Sequence, residues 1–116
     1  MASPNNAIRV AFEPLRVLAF GGITNVYAAV GTPLANSCRL FEIVNTTDEL
    51  IYVSLDGVTD QFVVPGGGSS VFDFTTNRSD FGGIFCIAAN TEVWVRAPLG
   101  NPTLGDVYVV VCYGAE

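Results

Sequence analysis

The amino-acid sequence predicts an all-β protein, a single antiparallel β-sandwich of the jelly-roll or Greek-key type with about eight strands. Short runs of β-branched and aromatic residues recur about every ten residues, and turn residues separate them. No competing helical period is present. The length of 116 residues is that of one domain, and half of the residues are hydrophobic, so the chain can bury an ordinary core.

Candidate strands follow one another along the chain, bounded by glycine, proline, asparagine or aspartate. They cover residues 15–20, 25–30, 38–45, 50–56, 60–64, 70–75, 83–89, 92–97 and 106–113. The segment from Asn45 to Asp48 is predicted to be a surface turn, because asparagine and threonine favour turns after a strand.

The first residues have a separate pattern. Ile8, Val10 and Phe12 alternate between two flanking prolines, which is typical of an extended arm or an edge strand. Residues 1–14 are therefore predicted to form an N-terminal arm or edge strand, with the extended arm favoured, and residues 15–116 the sandwich domain.

Alternation along the strands predicts which side chains are buried. Phe72 and Phe74 lie on one face of their strand and are assigned to the core. Trp94 shares a face with Glu92 and Arg96, so we expect its ring to be half exposed.

Two predicted strands, residues 50–55 and 107–113, are apolar on both faces. A two-layer sandwich buries only one face of each sheet, so something else must cover the second face. The N-terminal arm or a long loop could do this, but a neighbouring subunit is the favoured explanation, and the protein is expected to form a homo-oligomer.

Charge narrows the choice of partners. Eleven acidic residues stand against five arginines, with no lysine and no histidine, and the formal net charge is −6. An acidic surface repels a phosphate backbone, so nucleic acid and anionic membranes are not expected as partners. No secretion signal and no apolar run near the ~20 residues of a membrane span are found, which predicts a soluble protein made without export.

The same composition argues against catalysis. Without histidine, the usual activation of serine or cysteine nucleophiles is missing, and the sequence predicts no enzyme, no cofactor and no metal site. Asp56, Asp60 and Asp73 are the candidate carboxylates for glycoside hydrolysis or for a calcium ion. The Asp56-Gly57 pair is explained by turn geometry alone, and both chemistries are retained only as minor alternatives.

The three cysteines, Cys38, Cys86 and Cys112, lie far apart in apolar stretches, with no spacing typical of a metal site. They are predicted to be three buried free thiols that behave as small hydrophobic residues. A single disulfide or a reactive thiol are the alternatives.

One stretch resembles a known class of proteins. The segments IVNTTD (43–48), IYVSLDGVTD (51–60), VPGGG (64–68) and FDF (72–74) form a series of strand, asparagine-threonine corner, Ser-x-Asp-Gly turn, glycine loop and aromatic strand. This series resembles the small β-sandwich virion structural proteins of tailed bacteriophages, which serve as head decoration or cement proteins or as neck and tail components.

The resemblance implies a capsid decoration or cement protein, located in the virion and assembled in the host cytoplasm. Its partners would be the major capsid protein or other virion proteins, and it would stabilise the head by binding between capsomers. The residues expected at its protein interfaces are Ile8, Val10, Phe12, Trp94, Tyr108 and Tyr113.

Two alternatives stay open. The first is a neck or tail component, which would be present in six or twelve copies rather than hundreds. The second is a carbohydrate-binding sandwich, in which Trp94 and either Tyr108 or Tyr113 would stack on a sugar.

Overall fold

The structure, a computed structural model, describes residues 9–74 and 86–115. Within these residues it contains nine strands and one short 3₁₀ helix, Phe20–Gly22. The strands are β1 (Arg9–Phe12), β2 (Arg16–Ala19), β3 (Ala28–Ala29), β4 (Leu40–Asn45), β5 (Ile51–Ser54), β6 (Phe62–Val64), β7 (Ser69–Asp73), β8 (Trp94–Arg96) and β9 (Asp106–Ala115).

The strands form two sheets, and every strand pair is antiparallel. The five-stranded sheet has the order β1-β9-β4-β7, with β2 pairing β9 beside β1, and the four-stranded sheet has the order β3-β8-β5-β6. The two sheets pack on each other through one buried apolar cluster. The prediction of an all-β protein with two packed antiparallel sheets is therefore confirmed.

Strand β9 organises the larger sheet. It spans ten residues, and its long ladder pairs Cys112 with Leu40 of β4 and Val107 with Asn45. On its other edge β9 pairs first with β2 and then with β1. Its length gives it three partners.

The core lies between the sheets and follows the expected alternation. Strand β9 buries Val107, Val109 and Val111. The opposite sheet buries Val95 of β8 and Val93, which comes just before β8. The other fully enclosed core side chains are Ile23, Val30, Leu34, Cys38, Phe41, Ile43, Ile51, Val53, Val64 and Ala97.

Several predicted strands are shorter than expected. Residues 25–30 contribute only Ala28–Ala29, because the chain before them turns aside to contact Arg96. Of the predicted strand 83–89, residues 83–85 lie outside the described residues, and in the remainder only Ile87 pairs, with Cys38. At the N-terminus, Arg9–Phe12 forms an edge strand on β9, while Ile8 lies outside the described residues.

The surface turn predicted after β4 is confirmed for two of its four residues and wrong for the other two. Thr46 and Asp48 are exposed, whereas Asn45 is 0% exposed and Thr47 is 2% exposed. The Asn45 side-chain amide donates to the backbone carbonyls of Glu49, Val64 and Pro65 at 2.9 to 3.2 Å, and its Oδ1 accepts from the Thr47 N–H and hydroxyl. The prediction of a surface position is wrong for Asn45 because this amide joins the end of β4 to the end of β6.

A buried ion pair fixes the corner between β1 and β2. Glu13 and Arg16 are 8% and 7% exposed, and their charged atoms are 2.7 Å apart. Burial opposes ionisation of Glu13, but hydrogen bonds from Asn36, Arg16 and the backbone N–H groups of Ala35 and Asn36 outweigh it and hold the Glu13 pKa below its usual value. Arg16 also donates to the carbonyls of Thr32 and Pro33, so this network attaches the corner to the loop that follows β3.

The cysteine prediction is right for two residues and wrong for the third. All three thiols are free, and Cys38 and Cys112 are buried, but Cys86 is exposed. Ile87 pairs with Cys38 and faces inward, so alternation turns the neighbouring Cys86 to the outside. Burial raises the pKa of the Cys38 thiol to about 11.

The assignment of Phe72 and Phe74 to the core is right for the face and overstates the burial. Both side chains are partly buried, and Phe72 packs edge-on against Phe62, with 5.0 Å between ring centroids. Strand β7 is at the edge of its sheet, so its inward side chains lie at the open side of the sandwich. The prediction of a half-exposed Trp94 is confirmed, because its side chain is partly buried.

Candidate protein-interaction surface

The side of the five-stranded sheet that faces away from the core carries several exposed apolar side chains, and we call it the outer face. Its most exposed members are Val10 (69%), Phe12 (62%), Val71 (56%) and Val17 (45%). They come from three strands, β1, β2 and β7, which lie on both sides of the central pair β9 and β4. A contiguous exposed apolar patch of this kind marks an interaction site more often than scattered single residues do.

The registers show that the outer face is continuous. Three rows of side chains run across the sheet, and each row crosses both central strands. They are Phe12, Cys112, Leu40 and Asp73; Val110, Glu42 and Val71; and Val17, Tyr108, Val44 and Ser69. Neighbouring strands are about 4.8 Å apart, so side chains in one row touch or nearly touch.

Glu42 is the one charged side chain in the middle of this face. It lies between Val110 and Val71 in the central row and between Leu40 and Val44 along its own strand. The side chain is partly buried and makes no hydrogen bond or ion pair with any described residue. The other carboxylates at strand positions of the outer face, Asp73 and Asp106, lie near its two ends.

The outer side of the four-stranded sheet is different, because the chain covers part of it. The loop between β5 and β6 folds back so that Gly57 lies against the indole of Trp94. A Cβ built on Gly57 would be 3.0 Å from Trp94 Cε2, and the φ of Gly57 is +78°. Only glycine fits this contact without strain.

An ionic and aromatic cluster holds the covering loop. Arg96 donates to both carboxylate oxygens of Asp60 at 3.0 and 2.7 Å, and Tyr27 also donates to Asp60. The guanidinium lies over the rings of Tyr27 and Tyr52, 5.6 and 5.1 Å from their centroids. Burial, then the bond to Asp60, raises the pKa of Tyr27 to about 12. The second apolar face of β5 is thus partly covered from within the chain.

The three candidate carboxylates do not form one site. Asp56 shapes its turn by accepting from the Ser54 hydroxyl and the backbone N–H groups of Val58 and Thr59, and these bonds hold its pKa well below the usual range. Asp60 pairs with Arg96 on the four-stranded sheet, while Asp73 belongs to the five-stranded sheet. Among the described residues, no group of three or more histidine, cysteine, aspartate or glutamate side chains is placed to hold a metal ion.

The predicted interface residues fall on different surfaces. Val10, Phe12 and Tyr108 meet on the outer face. Tyr113 pairs with Ala11 and lies on the opposite side of the same strand ribbon, and Trp94 lies on the other sheet. The pairing of Trp94 with Tyr108 or Tyr113 as a sugar platform is therefore wrong, since the sheets separate them.

Three residues of the outer face were not predicted as interface residues from the sequence, namely Val17, Val71 and Glu42. A signal for Val71 was present, because it has the same parity as the outward-facing Asp73. Val17 has the opposite signal, because alternation with Arg16 would place the arginine outward and Val17 inward, whereas Arg16 is buried in its ion pair with Glu13. Glu42 carries no such signal, since a glutamate within a strand normally faces open solvent.

An apolar groove of about 330 Å³ opens at the side of the sandwich between β7 and β6. Its lining is aromatic and aliphatic, with Gln61 as its one polar side chain, and consists of Phe41, Leu55, Gln61, Phe62, Phe72, Phe74 and Ile87. Gln61 is already engaged by the Leu55 N–H. The groove therefore offers mainly apolar packing surface.

No protein-family model, curated protein or solved structure matches this chain, so its function is inferred from its own surfaces. In the part of the chain that the structure describes, no helix has the length and apolar character needed to cross a membrane.

Proposed function

We propose that this protein is a structural protein of a tailed-bacteriophage virion, a capsid decoration or cement protein that binds between capsomers of the head. The observation that carries the proposal is the outer face, where four apolar side chains between 45% and 69% exposed surround a part-buried apolar centre. Such a face is suited to contact with other protein. The resemblance of residues 43–74 to phage virion sandwiches supplies the setting, a virion assembled in the host cytoplasm.

The mechanism is binding energy alone, with no catalytic step. A protein that binds the assembled shell and not its dissociated subunits stabilises the shell by RT ln(1 + L/Kd) per site, where L is its free concentration. At a concentration one hundred times Kd, this contribution is about 2.7 kcal/mol per site. Summed over a lattice, modest single contacts raise the temperature at which the head opens.

The area of the outer face indicates how many capsid subunits each copy would contact. Four strand positions about 4.8 Å apart and about six residues of 3.3 Å each give a flat area of about 400 Å². A standard stable interface buries about 800 Å² on each partner. We therefore expect each copy to contact more than one capsid subunit, since a single docked face of this size binds weakly.

Two parts of the proposal have alternatives. One is the position of the protein in the virion, which determines its copy number, and the other is the way the strands are connected. A neck or tail component remains the second candidate. We include a jelly-roll or Greek-key sandwich in the proposal, in keeping with the order β1-β9-β4-β7, in which strands distant in sequence are neighbours. The homo-oligomer expected from the sequence also stays a prediction, now for a surface other than the outer face, and the mass of the purified protein tests it.

A carbohydrate-binding module has less support. One side of the Trp94 indole lies against Gly57, and Arg96 stacks on both Tyr27 and Tyr52. A sugar needs an open aromatic face on which to stack, and these contacts occupy part of the aromatic surface on that sheet. A glycan array with no binding to the purified protein is the expected result.

Copy number in purified particles tests the proposal. Trypsin cuts after Arg9 and Arg16 and releases the peptide VAFEPLR, residues 10–16, which suits quantitative mass spectrometry. We expect hundreds of copies per particle, counted with the major capsid protein of the phage that encodes the chain as the reference. Six or twelve copies would instead assign it to the neck or tail, and none in particles would refute the virion role.

A further inference from the structure

We infer that the outer face docks a different protein that presents an arginine or lysine side chain to Glu42, and not a second copy of this chain. This inference rests on the proposed function and names the chemistry of the partner surface. It follows from the position of Glu42 within the apolar rows.

Covering the outer face removes water from Glu42. Its neighbours across and along the sheet are Val71, Val110, Leu40 and Val44, none of which can donate a side-chain hydrogen bond to the carboxylate. An unpaired buried carboxylate is strongly unfavourable, so an entirely apolar partner surface would bind poorly. A cation that pairs with Glu42 removes this penalty and fixes the register of docking.

A second copy of the chain does not supply that cation. The strand positions of the outer face carry Glu42, Asp73 and Asp106 and no arginine. In a two-fold contact the same patch meets itself, so carboxylates would face carboxylates. The net charge of −6 on each chain adds to this repulsion.

Glu42 also affects the free protein, before any partner has bound. A charged side chain in the middle of an exposed apolar sheet face opposes self-association, a device that β-sheet proteins use against aggregation. The same carboxylate selects for a basic partner and against the protein itself. Specificity of this kind requires both effects.

Light scattering on the purified protein tests, without any partner, whether the outer face self-associates. We expect that wild type does not associate through this face and that Glu42→Leu, which completes the apolar surface, does. Glu42→Gln, which keeps the shape and a polar group, is the matched control and should associate less than Glu42→Leu. A wild-type oligomer that Val71→Asp dissociates would overturn the inference, as would a Glu42→Leu variant that associates no more than wild type.

Binding to heads stripped of this protein tests the partner half. Relative to wild type, we expect Glu42→Gln to weaken binding about tenfold and Glu42→Arg at least about a hundredfold, because the first leaves the partner cation unpaired and the second repels it. Wild-type affinity should also fall as salt is raised.

The two failures are distinguishable. Equal binding of Glu42→Arg and wild type would overturn the inference while leaving the proposed function in place. No binding of wild type to heads would refute head docking, and the light-scattering comparison would still decide whether Glu42 protects the face from self-association. Circular dichroism of each variant verifies that the fold is retained.

Discussion

Replacing Asn45 with alanine should destabilise the protein by about 3 to 5 kcal/mol, a large effect for one polar side chain. Asn45 is 0% exposed, and its amide has two N–H donors and one carbonyl oxygen, all of them engaged with groups of the β4 corner and the end of β6. The side chain thus makes about four hydrogen bonds, each worth about 1 kcal/mol net. Alanine would also leave buried carbonyls such as that of Val64 without this donor, which places the estimate in the upper part of the range.

The assay is urea unfolding at neutral pH, followed by the fluorescence of the single tryptophan, Trp94. Asn90→Ala is not a suitable control, since Asn90 has a positive φ of 71°. Asn101, an exposed residue of a loop, provides a matched control, and Asn101→Ala should cost less than about 0.5 kcal/mol. A loss below 1 kcal/mol for Asn45→Ala would refute the reasoning that this amide connects the two sheets.

Three further predictions follow from positions elsewhere in the fold. Phe72→Ala should cost about 3 kcal/mol in the same assay, because Phe72 packs on the core, whereas its exposed neighbour Val71→Ala should cost less than about 0.5 kcal/mol. Gly105→Ala should cost about 3 kcal/mol or more, since its φ is +87° and a Cβ would lie 2.2 Å from a backbone oxygen; Gly67→Ala, with φ +75° and open space, should cost about 1 kcal/mol. Glu13 has a lowered folded pKa, so its contribution to stability is present at neutral pH and is lost as the pH falls below 4.5 through that pKa.

Each of these has a result that would count against it. A larger cost for Val71→Ala than for Phe72→Ala would mean that the faces of β7 are reversed, and equal costs would refute the packing of Phe72 on the core. Equal losses of stability for Gly105→Ala and Gly67→Ala would show that a Cβ at position 105 does not clash with the backbone. For Glu13, the stability difference between wild type and Glu13→Gln should shrink on acidification, and a difference independent of pH would show that the carboxylate is not ionised in the fold.

Strand positions and inward faces were predictable where local pattern and burial agree. The alternation of Val93 and Val95 with Trp94 depends only on the two-residue period of a strand, and the structure follows it. Strand ends were less predictable. The segment 25–30 has strong β-propensity, yet Asn25 and Tyr27 are drawn to Arg96 and Asp60 of distant segments, and only Ala28–Ala29 pairs.

The outer face was also predictable only where the local pattern of the sequence determines it. That β5 and β9 are apolar on both faces was visible in the sequence, and so was the need for cover. Which strand the chain covers itself depends on the contact of Gly57 with Trp94 and on the Arg96–Asp60 pair. These contacts join residues about 36 positions apart and leave no local signal. The buried position of Asn45 was missed for a similar reason, because two of its partners, Val64 and Pro65, are about twenty positions away at the end of a strand in the other sheet.

The place of β9 in the larger sheet has a consequence for how the protein is made. Strands β1, β2 and β4 all take β9 as a partner, and β9 follows them in the chain. Before β9 is synthesised, β1 and β2 have no ladder to join and β4 can pair only with β7, so their apolar side chains are open to wrong contacts. Folding of the larger sheet must wait until β9 has emerged, and it is slow for a domain of this size because the paired strands are far apart in the sequence. When the protein is produced in large amounts, we expect the soluble yield to depend more on chaperones during this interval than on the stability of the finished sandwich.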